Sequence, residues 1–194
     1  MIEKYVNAHI VPIDPEDIPE AAANRIINQG SLYINRDDAP TTIGDFGGHG
    51  LVRYETGDVG YIAEQTKTYG HGEKEEVIHL VDTTHDGAIK GYGEIRFNKE
   101  SSEDYFHDKP FVGTTRTEEE YRGEGLARRR LLVMNLVTVA RLGLALHSDT
   151  LIAHEHALRT WERLVREERA MKYDQQLKAG KQTPRFRFHL PQVS

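Results

Sequence analysis

The run Phe111-Val112-Gly113-Thr114-Thr115-Arg116-Thr117, an acidic turn, and then Tyr121-Arg122-Gly123-Glu124-Gly125-Leu126-Ala127 decide the fold. A β-prone stretch feeds a glycine-bearing turn, and the turn opens a helix in which Leu126, Val133, Leu136, Val137 and Ala140 recur at helical spacing. The spacing predicts a helix from Gly125 to Arg141 with one buried face. The first N–H groups of such a helix have no partner within it, and its aligned peptide dipoles leave partial positive charge at that end, so an anion is favoured there. Gly123 and Gly125 remove side chains that would hold a phosphate off the backbone and tolerate the positive φ that turns N–H groups inward. Arg122 adds a fixed positive charge.

Two common phosphate loops are excluded. A nucleotide P-loop closes on Gly-Lys-Ser/Thr, a tripeptide that does not occur in the chain. A dinucleotide fingerprint beginning at Gly123 wants Gly or Ala three residues after Gly125, where the chain has Arg128. What remains is Arg-x-x-Gly-x-Ala, as Arg122, Gly125 and Ala127, preceded by Tyr121. This resembles the pyrophosphate-binding motif of the GCN5-related N-acetyltransferases. Downstream, Leu142 to Ser148 is an apolar strand candidate. An amphipathic helix from Ile152 to Arg169 follows, with Ala157, Trp161, Leu164 and Val165 on its apolar face. This looks like the second block of the same family, a strand and a helix that flank the pantetheine arm. The resemblance covers Val77 to Leu164.

The resemblance implies an α/β fold with a mixed, mostly antiparallel sheet of about six to seven strands. Helices would lie on both faces, and a splayed strand pair would mark the cofactor site. It implies transfer of an acetyl group from acetyl-CoA, as acyl donor, to a primary amine through a tetrahedral intermediate. Pyrophosphate would lie on Arg122, Gly123, Glu124, Gly125, Leu126 and Ala127, with Arg128 as a further phosphate contact. Pantetheine contacts and the oxyanion donor would come from the backbone at Thr115, Arg116 and Thr117, and His154 stands where many relatives have asparagine.

The proton donor is where the chain departs from the family pattern. Many relatives carry a tyrosine where this chain has Trp161, whose one N–H cannot serve as an acid at ordinary pH. Ser148 is the nearest hydroxyl, with Tyr173 more remote, while Ser148-Asp149-Thr150 also reads as a helix cap or turn. Glu94 and His147 are the candidate bases, each equally readable as a structural residue, and bound water is an alternative relay. Without turnover, the same chain would be a coenzyme A binding module of regulatory use.

The remaining chain fits one domain, 1–194, with 38% hydrophobic residues and no cysteine, hence neither a disulfide framework nor a thiol nucleophile. His147, His154 and His156 lack the i, i+4 spacing of a helical metal pair, so no metal is expected. Met1 to Tyr5 has no signal-peptide character and no apolar run reaches membrane-span length, which gives the expectation of a cytoplasmic protein. A formal net charge of −6 gives no footprint for nucleic acid and favours a cationic amine acceptor.

Acidic residues around Pro15 predict a helix to Gln29, and Arg36 to Tyr61, rich in Gly, Asp and Thr, reads as an irregular loop. Glu76–Asp82 and Ile89–Phe97, joined through Asp86-Gly87, read as a hairpin. Met171 to Lys181 reads as strand or frayed helix. Arg185 to Leu190 alternates as an edge strand, open to pairing with a second copy in a homodimer.

Overall fold

The computed structural model describes residues 10–32, 34, 38–69, 72–98, 109–149, 152, 154–176 and 182–190. Met1 to Tyr5, Thr150 and residues 177–181 of the Met171 to Lys181 segment lie outside them. Six strands, β1 (Val11–Pro12), β2 (Gly47–Arg53), β3 (Val59–Thr68), β4 (Lys74–Thr83), β5 (Ile89–Phe97) and β6 (Phe111–Thr117), form an antiparallel meander in sequence order. Helix α1 (Glu20–Gly30) lies between β1 and β2, and α2 (Leu126–Leu142) and α3 (Glu155–Arg166) follow β6. β7 (Ala170–Gln176) and β8 (Gln182–Phe188) pair with each other as a second, antiparallel sheet. His147 joins the two sheets, bridging Phe111 on one side and Arg187 on the other. The mixed α/β architecture is the one expected. No described helix is long and apolar enough to cross a membrane.

Alternation along the strands sorts side chains into two layers. On one face Ile62, Ile78, Leu80, Ile95 and Val112 pack under α2 and α3, together with Leu131, Val133, Met134, Trp161 and Phe186. On the other, Ala63, Val81 and Tyr92 meet Ala22, Ala23 and Ile26 of α1. Trp161 is a core residue, stacked on Phe186 with ring centroids 5.8 Å apart.

Several boundaries differ from the sequence reading. The glycine-rich stretch from Arg36 to Tyr61 holds β2 and the start of β3. Glycine lowers strand propensity, but here the ladder to β3 supplies the pairing, with a register shift between Gly47 and Gly50. The first helix begins at Glu20, after a separate turn at Pro15–Asp17 closed by the Ile18 N–H, because Pro19 has no N–H with which to continue that turn and stands at the N-cap position of the helix. Leu142 to Ser148 forms an isolated bridge at His147 instead of a regular strand, whereas β7 occupies the undecided Met171 segment. On α2, Ala140 is exposed and Arg130 is fully buried, the reverse of what apolar periodicity predicts.

Candidate functional site

The turn into α2 is open. Gly123 has φ 91° and Gly125, the helix N-cap, has φ 76°, both in the left-handed region that glycine adopts without strain. A Cβ at either position would meet no atom within 4 Å. No side chain caps the helix, and residues 122–125 are exposed while Leu126 anchors the first turn in the core. The mouth of α2 therefore presents its free N–H groups to solvent, as an anion site requires.

The turn is fixed from outside by charge. Glu124 pairs with Lys90 at 3.2 Å, Lys90 with Asp58 at 3.3 Å, and Asp58 with Arg129 at 2.7 Å. Arg129 also lies over the Tyr54 ring, and Lys90 over that of Tyr121. Arg128 is engaged by Glu167, its Nε donating at 2.8 Å, so its guanidinium is directed to the C-terminal end of α3.

Beside this turn β6 parts from its neighbour. The Val112 N–H donates to the His147 carbonyl at 3.0 Å, and the His147 N–H to that of Pro110 at 2.8 Å. One residue later the Ser148 N–H turns away to Phe186 of β8, at 2.9 Å. Among the described residues nothing pairs with that edge of β6 beyond Val112, which is the expected splay. The β5–β6 register shifts between the pairs Glu94↔Thr114 and Ile95↔Val112, leaving Gly113 as a bulge. Past the bulge the Glu118 N–H faces the Lys90 carbonyl, so alternation turns the amides of Thr115 and Thr117 to the open edge.

The predicted catalytic side chains do not converge. Ser148 is fully buried; its hydroxyl donates to the Asp149 carbonyl at 3.0 Å and accepts the Phe186 N–H at 3.1 Å. It stitches the segment to β8. His147 is buried, and its Nδ1 lies 2.6 Å from the Tyr173 hydroxyl in a hydrogen bond. Burial, then Arg185, Arg187 and Lys109, push this imidazole down to about 3. Burial in turn raises the Tyr173 phenol. Glu94 is buried on β5, accepting from the Tyr92 hydroxyl at 3.0 Å and paired with Arg96. Burial pushes the Glu94 carboxyl up, but Arg96, Lys67 and His79 outweigh it and leave the group below its ordinary value.

Sequence reasoning missed the polar chain behind Glu94. Tyr92 Oη lies 2.7 Å from His79 Nδ1, and His79 Nε2 3.2 Å from Gln65 Oε1. Burial holds the His79 imidazole near 4, so it is neutral at ordinary pH. Register places His79 opposite Glu94, a relation that pairing alone reveals. His147, Arg185 and Tyr173 share this face of the sheet, since Leu146 and Phe186, their chain neighbours, lie in the opposite apolar layer. Glu94 stands on β5, the paired side of β6, and Tyr173 on β7, from which it reaches His147 at the border of the splay. His154 is exposed at the N-cap of α3 without capping it, and no group of three metal-ligating side chains occurs among the described residues. A cleft of about 1040 Å³ bounded by Asp45, Glu64, Glu76 and Arg141 sits at the far end of α2, away from its N-terminal mouth.

No protein-family model matches the chain, and neither does any curated protein. Solved structures do. A Bordetella pertussis protein described as a GnaT-family acetyltransferase has 17% identity and TM-score 0.40, over 58% of this chain and 65% of its own. The spermidine N-acetyltransferase of Vibrio cholerae, a dodecamer, has 12% identity and TM-score 0.39, over 59% and 64%. A protein described as a phosphinothricin N-acetyltransferase has 14% identity and TM-score 0.38, over 93% and 96%. The match spans a little under two thirds of the first two structures' own length. At this level of likeness neither substrate nor activity follows. In the chain itself the antiparallel sheet, the glycine turn into α2 and the parting of β6 from residues 145–148 follow the order of a GCN5-related N-acetyltransferase, the family its sequence resembles.

Proposed function

We propose that this protein is an acyl-CoA-dependent N-acetyltransferase that transfers an acetyl group from acetyl-CoA to a primary amine. The observation that carries the reading is the open mouth of α2, with Gly123 and Gly125 at positive φ and no capping side chain, next to the unpaired edge of β6. In this reading the amides from Gly123 to Ala127 take the pyrophosphate, with the Arg122 charge beside them. The strand edge at Thr115, Arg116 and Thr117 takes the pantetheine chain and, at the thioester, supplies an oxyanion donor. Arg128, held by Glu167, and His154, exposed beside α3, are at most peripheral contacts for the cofactor.

Attack by the amine on the thioester carbon forms a C–N bond and a tetrahedral oxyanion. Collapse breaks the C–S bond, and the electron pair leaves on sulfur, which takes a proton. The Ser148 hydroxyl is committed to Asp149 and Phe186 inside the protein. Tyr173, hydrogen-bonded to His147 on the lip of the splay, is the proton donor in its place, and the neutral His147 orients it. Glu94 is ionised and paired with Arg96, so it accepts protons reluctantly; it attracts and orients a cationic amine, while water removes the amine's proton. The net charge of −6 also favours such acceptors.

A second reading, coenzyme A held as a regulatory ligand without turnover, is favoured by one observation: Trp161, at the position where relatives carry a tyrosine, is sealed in the core. Incubation with acetyl-CoA and a panel of primary amines separates the two. Thiol release with an amine supports the transferase, and thermal stabilisation by coenzyme A without thiol release supports the regulatory reading. Absence of any stabilisation by coenzyme A or acetyl-CoA refutes both.

A further inference from the structure

Arg130 is the most unexpected residue of α2. It lies one turn into the helix, on the face that should be apolar, and is fully buried. Its Nε donates to Asp82 of β4 at 2.6 Å, and the other Asp82 oxygen accepts the Tyr54 hydroxyl at 2.6 Å. To reach Asp82 the side chain crosses β5 over Gly91 and Gly93. A Cβ at Gly91 would stand 1.9 Å from Arg130 Nη2, and one at Gly93 would stand 2.9 Å from its Cδ. The sequence Gly91-Tyr92-Gly93 is therefore a trough cut for this side chain, on the face of the sheet opposite Tyr92. A buried ion pair in a glycine trough is a poor way to gain stability, because desolvation of the charges offsets their attraction and a packed apolar side chain would serve as well. Positional specificity is the alternative use of such a pair.

What Arg130 positions is visible at Nη1, while Nη2 is buried without a hydrogen-bond partner among the described residues. Nη1 donates to the hydroxyls of Thr115 and Thr117, each at 3.3 Å. These are the residues whose amides face the open edge of β6. The guanidinium thus ties one strand edge to the body of the helix whose mouth lies a turn away, with Asp82 and Tyr54 holding the tie from β4 and the end of β2. We propose that Arg130 is a positioning residue for acyl-CoA. It sets the distance between the α2 mouth and the β6 edge, so that one ligand can engage diphosphate and pantetheine sites together. The inference rests on the transferase reading of this site, and its failure can be told apart from the failure of that reading.

The test uses the full chain and coenzyme A as probe. Thr115→Val with Thr117→Val removes both acceptors while leaving the strand amides and the Arg130–Asp82 pair in place. We expect the double variant to melt within a few degrees of the parent and to bind coenzyme A about tenfold more weakly, a loss the size of two modest hydrogen bonds. The KM for acetyl-CoA should rise in step, with kcat changed less. Arg130→Lys keeps the charge but not the fork, and should share the loss of affinity; Arg130→Met is expected to show it as well where it folds. Equal affinity for coenzyme A in the parent and the double valine variant overturns the role given to Arg130 and leaves the function standing. A loss of affinity matched by a large drop in melting temperature also overturns it, since a structural part would explain both. A parent that does not bind coenzyme A overturns this inference together with the function.

Discussion

The turn ahead of α2 and the segment behind it meet opposite fates. Residues 122–125 are exposed and the N–H groups of Gly123 to Gly125 have no backbone partner among the described residues, whereas Ala145 to Ser148 is buried and its polar groups are taken up by Pro110 and Val112, by β8 and by Asn135 of α2. Arg122-Gly123-Glu124-Gly125 carries no apolar residue, whereas Ala145-Leu146-His147-Ser148 mixes small, apolar and polar ones, so composition separates exposed from buried but does not say what each does. Backbone conformation does: glycine at positive φ spells an anion-binding turn locally, while a proton-transfer group must be brought from a distant strand. The difference teaches that the binding half of this site is built from main chain and the chemical half from side chains whose neighbours only pairing decides.

Acid should break the buried side of this comparison first. His79 and His147 are held neutral with values of about 4 and 3, below the ordinary 6.5, so the unfolded chain binds protons that the folded one refuses. Their contribution is whole above pH 6.5 and drains away as pH falls toward 4, at up to about 1 kcal/mol per pH unit for each imidazole. Glu94, depressed in the fold, acts in the same direction, and Glu75, raised by burial, acts against it. Denaturant unfolding from pH 7 to pH 4 measures the slope, and His79→Gln should flatten it; an unchanged slope would show that this imidazole is already charged in the fold.

Removing the phenol tests where the chemistry sits. Tyr173→Phe is expected to lower kcat by about a hundredfold with little change in coenzyme A affinity, the range of a lost general acid. A rate near that of the parent in a thiol-release assay would return the leaving group to water. At the open side, Arg122→Glu sets a negative charge against the diphosphate and should weaken coenzyme A binding at least about tenfold by calorimetry. Unchanged affinity with the fold intact would mean that the turn has another ligand.

The smallest effect sharpens the contrast. Ser148→Ala leaves the buried Phe186 N–H without its side-chain acceptor, at a cost of about 1–2 kcal/mol in unfolding free energy. Its rate should stay within a few-fold of the parent. A large loss of kcat at unchanged stability would make Ser148 the acid after all.

Much of the frame was legible in the residues. The Asp86-Gly87 turn placed the β4–β5 hairpin, whose loop His85 to Gly87 is closed by the Thr84–Ala88 bond with Gly87 at φ 91°, because turn chemistry is local. The helix after Gly125 ended one residue beyond its expected limit, at Leu142. What misled was burial at non-apolar positions. Arg130 is hidden by a trough of glycines on another strand, and β2 forms from a run that looks like a loop because β3 pairs with it. Ser148 looked like a free hydroxyl until β8 came to lie beside it.

By itself the sequence determined the strand, turn and helix at Phe111 to Leu142 and the positive φ that opens the helix mouth, since these depend on residues a few positions apart. Tertiary structure alone decided which side chains face the splay. The pairing of His79 with Glu94 depends on the register of the β4–β5 ladder, and that of His147 with Tyr173 joins two sheets. A one-residue slip in either ladder would turn those groups to the other face, and the contact of His147 with Tyr173 depends on strands that no local turn brings together.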